Sequence, residues 1–262
     1  MHAPLRRLIE GTSRFWAGEA EVVRAYFDSP RRTRESDLRW IARQACKEIW
    51  DGVVPQLGRL HRALLSGEEP ASDDVLGDAA EVLRSELAHY QVFADLHAAL
   101  AGAGAPRLDP AGLRASWSWP ENEALRELRA GHVERHGALG RRAMRFTEGG
   151  YARLFAEGMR LRGRGAADDL IAEACSRVFD DEFEHMLAGI AGLAAEGLAN
   201  ADWQRLEELA AEQMRARIRM RSAQFEAPLP ETRIAELCAG GGPALPFDYE
   251  RAERLAAQTR GA

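Results

Sequence analysis

Two Glu-x-x-His pairs are the residues of this sequence whose types and spacing could do chemistry. The first pair is Glu86 and His89, and the second is Glu182 and His185. Because residues three apart lie on one face of a helix, each pair can present a carboxylate and an imidazole to the same metal ion. Oxygen and imidazole ligands without thiolate suit iron or manganese better than a structural zinc. The two pairs therefore predict a metal centre.

Both glutamates of these pairs lie on predicted apolar helix faces. Glu86 is at helical spacing from Phe93, and Glu182 is at helical spacing from Val178. A carboxylate that faces an apolar core needs a partner, because its desolvation is unfavourable. The apolar surroundings therefore favour a bound cation over two chance pairs on the surface. Glu184 points away from the Glu182 face and is expected on the surface.

In known dimetal four-helix bundles, each of the two remaining helices also contributes one glutamate, and we match this sequence to that pattern. The first of these helices offers Glu48 at the edge of its apolar stripe, with Asp51 one turn later as the alternative. The other offers Glu148 on a core face, or Glu157 among arginines that indicate a solvated face. We therefore predict Glu48 and Glu148 and leave the choice between Glu48 and Asp51 open.

The spacing and the charge of these ligands agree with one dinuclear site. The sequence separation is 38 residues from Glu48 to Glu86 and 34 residues from Glu148 to Glu182. Two helical hairpins that meet at one site should have similar separations. Four carboxylates would neutralise two divalent ions, so the buried cluster need carry no net charge. Glu19 precedes the bundle and is expected to face solvent.

The elements that must position these residues are helices, since no convincing alternating strand is present. We predict seven helices over about 13–27, 36–65, 72–100, 121–161, 167–193, 202–225 and 249–258. Pro55 should kink the second helix. A break is expected in the fourth helix near Gly137 to Gly140. The stretch ELCAGGGPALP is expected to be loop. These elements predict an all-α single domain, 1–262, with a four-helix core over about 36–193 and a C-terminal extension over about 200–262.

Composition limits the possible partners and compartments. The 262 residues are 46% hydrophobic and carry a net charge of -6, so nothing indicates a polyanionic partner. The cysteines Cys46, Cys175 and Cys238 form no CxxC pair, and their odd number fits a reducing cytoplasm. No signal peptide or membrane-spanning segment is recognised. Nucleic-acid binding is not expected, because we interpret the run 215–221 (RARIRMR) as a half-buried helix with its arginines in solvent.

The ordered ligand pattern resembles the diiron-carboxylate proteins of the ferritin-like superfamily over roughly 36–193. The resemblance is carried by Glu48, Glu86-Leu-Ala-His89, Glu148 and Asp181-Glu182-Phe-Glu-His185. Such families include bacterial multicomponent monooxygenases, acyl carrier protein desaturases, ribonucleotide reductase small subunits and bacterioferritins. The resemblance implies a ferritin-like bundle that binds two iron ions, or manganese and iron. It also implies that Asp181 orients a ligand histidine. Tyr90 and Tyr151 are expected near the centre, where they pack or form a hydrogen bond rather than take part in redox chemistry.

The activity implied by this resemblance is the oxidation of a small organic substrate by O2. The reaction would be a hydroxylation, an N-oxygenation or a desaturation, and an external electron donor would supply the electrons. Phe93 occupies the position of the radical tyrosine in reductase small subunits, which argues against that family. The long connection with Trp117 and Trp119 either covers a substrate pocket or packs as a surface loop.

Other functions remain open from the sequence. A ferroxidase or iron-handling protein is the main alternative, and a tRNA-modifying hydroxylase or a metal-free helical module is a weaker one. A third metal at His132 and His136 is not expected, because these residues lie off the Glu148 face. A homodimer is possible.

Overall fold

The computed structural model describes residues 3–66, 72–148, 150–193, 196–251 and 254. Within these residues the chain is helical and contains no β-strand, which confirms the all-α prediction. The helices, in chain order, are α1 (Ala3–Phe27), α2 (Arg34–Lys47), π1 (Glu48–Val53), α3 (Val54–His61), π2 (Arg62–Ser66), α4 (Asp73–Ala101), α5 (Leu113–Trp117), α6 (Pro120–Thr147), α7 (Arg153–Met159), α8 (Ala166–Ile190), α9 (Asn200–Gln224) and α10 (Glu231–Cys238).

The chain divides into two compact units. Unit 1 consists of Met1–Pro30 and Pro120–Ala262, and unit 2 is Arg31–Trp119. In unit 1, α9 packs against α1 and α6, and α8 packs against α6 and α7. In unit 2, α4 packs against α2, π1 and α3, and α5 packs against α2. Each unit therefore has its own set of packed helices and supplies three of the six predicted ligands.

Helix α2 begins two residues earlier than predicted because Thr33 caps it. The Thr33 hydroxyl accepts a hydrogen bond from the Ser36 backbone N–H, and the Ser36 hydroxyl accepts one from the Thr33 N–H. This capping box satisfies two backbone donors that the start of a helix leaves without intrahelical partners. Arg32 pairs with Asp37 in the first turn and stabilises the same end.

The helix widens into a π-helical turn, π1, just before Pro55. Proline has no N–H to donate, and its ring collides with the carbonyl four residues earlier in a regular α-helix. Just before Pro55, the Val54 N–H donates to the carbonyl of Ile49, five residues back. Turns of this kind are rare and occur frequently at functional sites. Here π1 contains both candidate ligands of this segment, Glu48 and Asp51.

Helix α6 is sharply bent at Gly137, as predicted, but it does not continue through Glu148. Gly137 has φ 50° and ψ -117°. After α6, Gly150, Tyr151 and Ala152 all have left-handed backbones with φ of 54°, 55° and 53°. Three such residues cannot belong to a right-handed helix. The predicted helix over 121–161 is therefore wrong between α6 and α7, and the helical-face argument that selected Glu148 does not apply.

The other helix boundaries agree with the sequence prediction in part. Helices α4, α8 and α9 begin and end close to the predicted residues. Helix α1 begins well before residue 13, and α10 contains the first three residues of the predicted loop ELCAGGGPALP. Most of the predicted helix over 249–258 lies outside the described residues. No helix in the described ranges is long and apolar enough to cross a bilayer.

The three cysteines are buried. Burial raises the pKa of the Cys175 thiol to about 12, and it also raises the pKa of Cys238. A thiol reacts as its thiolate, so these positions are poor candidates for nucleophilic or metal-binding roles.

Candidate metal centre

Unit 2 buries three of the predicted ligands next to one another. Glu48 is 1% exposed, Glu86 is 5% exposed and His89 is 3% exposed. A carboxylate oxygen of Glu48 and a ring nitrogen of His89 lie within 4.8 Å of each other. Glu86 Oε2 lies 3.8 Å from His89 Nδ1. Two ligands that each bind a divalent ion at about 2.1 Å are at most about 4.2 Å apart, so this last pair can share an ion.

Gly52 provides the space that the Glu86 carboxylate occupies. A Cβ atom at Gly52 would lie 2.7 Å from Glu86 Cδ and closer still to Oε2, which is shorter than real Cβ contacts. Only glycine fits at this position of π1 without displacing Glu86. Gly52 was not identified as functional from the sequence. A glycine inside a long helix, one turn after a candidate ligand, is the signal that would have found it.

Gln44 holds one oxygen of Glu48. Its buried side-chain amide donates a hydrogen bond to Glu48 Oε1 from the preceding turn. A partner of this kind fixes the direction of a metal ligand and leaves its second oxygen for the ion. Glu48, and not Asp51, has a carboxylate oxygen grouped with the ring nitrogen of His89, so the geometry favours Glu48 in the choice that the sequence left open.

Unit 1 carries the other three predicted ligands. Glu182 is buried on α8, and His185 lies half-buried one turn later on the same helix. Asp181 is also half-buried on α8, beside Glu182. Glu148 is half-buried in the turn that follows α6. The second Glu-x-x-His pair is therefore helical, as predicted.

Glu148 and Glu182 act on the same buried guanidinium, that of Arg217. Burial alone would lower the pKa of Arg217, but the carboxylates of Glu19, Glu182 and Glu148 together raise it above its ordinary value. Because electrostatic interactions weaken with distance, this shared effect indicates that both carboxylates contribute to the field at Arg217. Unit 1 thus brings Glu148 and Glu182 into one electrostatic environment.

Glu19 is fully buried, so the prediction that it faces solvent is wrong. Its carboxylate accepts hydrogen bonds from Arg217 at 2.7 Å and from Arg221 at 2.9 Å. Both arginines are buried, so the prediction of a solvated arginine face over 215–221 is also wrong for these two residues. They share the core face of α9 with Met214 and Ile218, and Glu19 supplies the charge that makes their burial possible. Neither guanidinium is exposed to contact a nucleic-acid phosphate.

Glu157, the rejected ligand candidate, is buried between two arginines. It accepts hydrogen bonds from Arg24 at 2.8 Å and from Arg160 at 2.9 Å. The prediction of a solvated face is wrong for Glu157. Its charge is balanced by these arginines, so the structure offers no reason to prefer it over Glu148 as a ligand.

Three aromatic side chains singled out in the sequence pack in the cores of their units, namely Tyr151, Tyr90 and Trp119. Tyr151 stacks near Trp16, and its hydroxyl accepts a hydrogen bond from the Asp248 N–H. The Tyr90 hydroxyl donates to a backbone carbonyl in unit 2. Trp119 is buried beneath the guanidinium of Arg43. These contacts favour packing roles for the three rings.

Comparisons of this chain with known protein families, with characterised proteins and with solved structures find no match. Its function is therefore inferred from its own residues.

Proposed function

We propose that this chain is a non-haem diiron oxygenase or oxidase, which binds two iron ions and uses O2 to oxidise a small organic substrate. The proposed ligands are Glu48, Glu86, His89, Glu148, Glu182 and His185. The observation that carries the proposal is the burial in unit 2 of Glu48 and Glu86, each with a carboxylate oxygen close to a ring nitrogen of His89. Bound cations would offset the cost of burying these carboxylates. The proposal includes the ferritin-like four-helix arrangement predicted from the sequence.

The donor set suits iron. Four carboxylates and two imidazoles provide oxygen and nitrogen donors without a thiolate, and the four negative charges balance two divalent ions. The same donors would also accept manganese together with iron. The sequence has no flavin, ferredoxin or dinucleotide-binding motif, so an external donor would supply electrons.

The chain would orient the metal ligands, leave space for them and exclude water from the site. Bound iron would supply the redox chemistry with O2 and a template for the substrate. Gln44 would hold Glu48 with one oxygen turned towards the ion. Gly52 would leave the space that the Glu86 carboxylate occupies as a ligand. Phe93, which is fully buried against Trp40, would help to keep water away from the ligands of unit 2.

The substitution Gly52→Ala tests the proposal without removing a ligand. The added Cβ would displace the Glu86 carboxylate, so we expect the affinity for Fe(II) to fall about 10- to 100-fold, as for other groups that position metal ligands. Anaerobic titration calorimetry with Fe(II) measures the change.

Gly58→Ala is the matched control in the neighbouring helix α3. Its Cβ would meet only the Arg62 side chain at 3.4 Å, an ordinary contact. We expect unchanged Fe(II) affinity and a helix stabilised by about 0.5–1 kcal/mol. Equal Fe(II) affinities of wild type and folded Gly52→Ala protein would contradict the proposed site.

A further inference from the structure

Helix α9 contacts the chain on both sides of Glu148, although it carries none of the proposed ligands. The contacts come from Gln213 and Arg217, which are both buried. These residues are four apart and so lie on one face of α9, one turn from each other. Gln213 contacts Thr147, just before Glu148, and Arg217 lies against Gly150, just after it.

Before Glu148, Thr147 is held by two side chains. Its hydroxyl donates to Gln213 Oε1 at 2.7 Å. Arg129 Nη2 donates to the Thr147 carbonyl at 3.0 Å and to its hydroxyl oxygen at 3.2 Å. Thr147 is the last residue of α6 and is fully buried. Its position therefore fixes where the chain leaves the helix.

His132 fixes the orientation of the Gln213 amide. Gln213 Nε2 lies 3.0 Å from His132 Nδ1, and His132 Nε2 lies 3.1 Å from a carboxylate oxygen of Glu212. Burial lowers the pKa of His132 against the opposing effect of Glu212, which favours the neutral ring. A neutral ring that donates to Glu212 must accept from the Gln213 NH2, which leaves Gln213 Oε1 for Thr147.

After Glu148, Gly150 packs directly on the ion pair of Glu19 and Arg217. A Cβ atom at Gly150 would collide with Glu19 Oε2 and Arg217 Nε. The left-handed backbone at this position, with φ of 54°, also disfavours any other residue. The turn can therefore lie on this ion pair only because residue 150 is glycine.

The turn is strained, and its neighbours hold it in place. Tyr151 and Ala152 have left-handed backbones, which residues with a Cβ rarely adopt. Arg153 Nε donates to the Tyr151 carbonyl, and the Tyr151 ring packs on Phe183, the residue after Glu182. Strain of this kind persists where the surroundings impose it, and it clusters at functional sites.

We propose that Gln213 and Arg217 are positioning residues that clamp Thr147 and Gly150 and so set the direction of the Glu148 carboxylate. The inference rests on the proposed function, because Glu148 acts there as an iron ligand. It assigns to α9 a role in metal binding that the ligand pattern did not contain.

Thr147→Val and Thr147→Ser test the clamp without changing any charge. Valine has the shape of threonine but cannot bond Gln213, whereas serine keeps the hydroxyl. We expect Thr147→Val to weaken Co(II) binding about 10- to 100-fold and to change the visible absorption of bound Co(II), which reports ligand number. Thr147→Ser should restore the wild-type isotherm and spectrum. Urea unfolding verifies that both variants are folded.

Arg217→Met and Arg219→Met form a second matched pair on α9. Arg219 lies in an exposed ion pair with Glu231, so its loss should leave Co(II) binding unchanged. Arg217→Met, where folded, should reproduce the weaker binding of Thr147→Val. If folded Thr147→Val protein binds Co(II) as tightly as the wild type does, the inference about α9 is overturned and the proposed function is not. Undiminished Co(II) binding by Glu86→Ala, or no binding by wild type, would overturn the proposed function and the inference with it.

Discussion

Replacing Glu86 or Glu182 by alanine is expected to abolish stoichiometric metal binding. Each glutamate is buried and begins a Glu-x-x-His pair on a helix, α4 or α8. Its removal takes away a charged ligand that no neighbouring water can easily replace, since the side chains around it exclude solvent. Elemental analysis of Fe(II)-loaded, desalted protein measures the effect. We expect about two ions per wild-type chain and no stoichiometric iron in either variant.

The same substitution at exposed glutamates on the same two helices is the control. Glu81→Ala on α4 and Glu184→Ala on α8 remove carboxylates that face solvent. Both should retain the wild-type iron content. Undiminished iron in folded Glu86→Ala and Glu182→Ala would remove the proposed site.

Glu19→Ala should strongly destabilise unit 1. The change leaves Arg217 and Arg221 buried without the carboxylate that both of them bind. Removing one partner of a buried ion pair lowers the free energy of unfolding by about 3–5 kcal/mol. That is a large part of the usual free energy of unfolding, about 5–15 kcal/mol. Urea unfolding at pH 7 measures the difference.

Glu10→Ala is the matched control, since Glu10 lies on the same helix in an exposed pair with Arg6. A surface pair of this kind contributes at most about 0.5 kcal/mol. If Glu19→Ala lowers the free energy of unfolding by less than about 1 kcal/mol, then Glu19, Arg217 and Arg221 are not buried as described.

The stabilisation by Glu19 should also depend on pH. Burial opposes ionisation of Glu19, but Arg217 and Arg221 outweigh it, so its folded-state pKa lies below the ordinary value of 4.5. The stabilisation is therefore complete above about pH 4.5 and is lost as the pH falls through the lower folded-state pKa. The stability difference between wild type and Glu19→Ala should shrink over that acidic range.

The sequence predicted those parts of the fold and site that depend on local periodicity. Helices α4 and α8 were recognised from their apolar spacing, and the burial of Glu86, His89 and Glu182 followed from their positions on those faces. A helical face is a property of residues three and four apart, so a single sequence contains it.

The parts that the sequence did not predict depend on distant partners or on a change of helical register. Glu19 was expected in solvent because its two arginines lie 198 and 202 residues later in the chain. The π1 turn widens the helix before Pro55, and regular 3.6-residue spacing does not anticipate this. The left-handed turn after Glu148 has a visible signal in Gly150, but Tyr151 and Ala152 adopt the same backbone without one.

Anaerobic titration of the wild-type chain with Fe(II), followed by desalting and elemental analysis, tests the central claim most directly. Two iron ions retained per chain, with oxidation of the bound iron when O2 is admitted, is the predicted result. A chain that retains no iron, while remaining folded by circular dichroism, would contradict the diiron account.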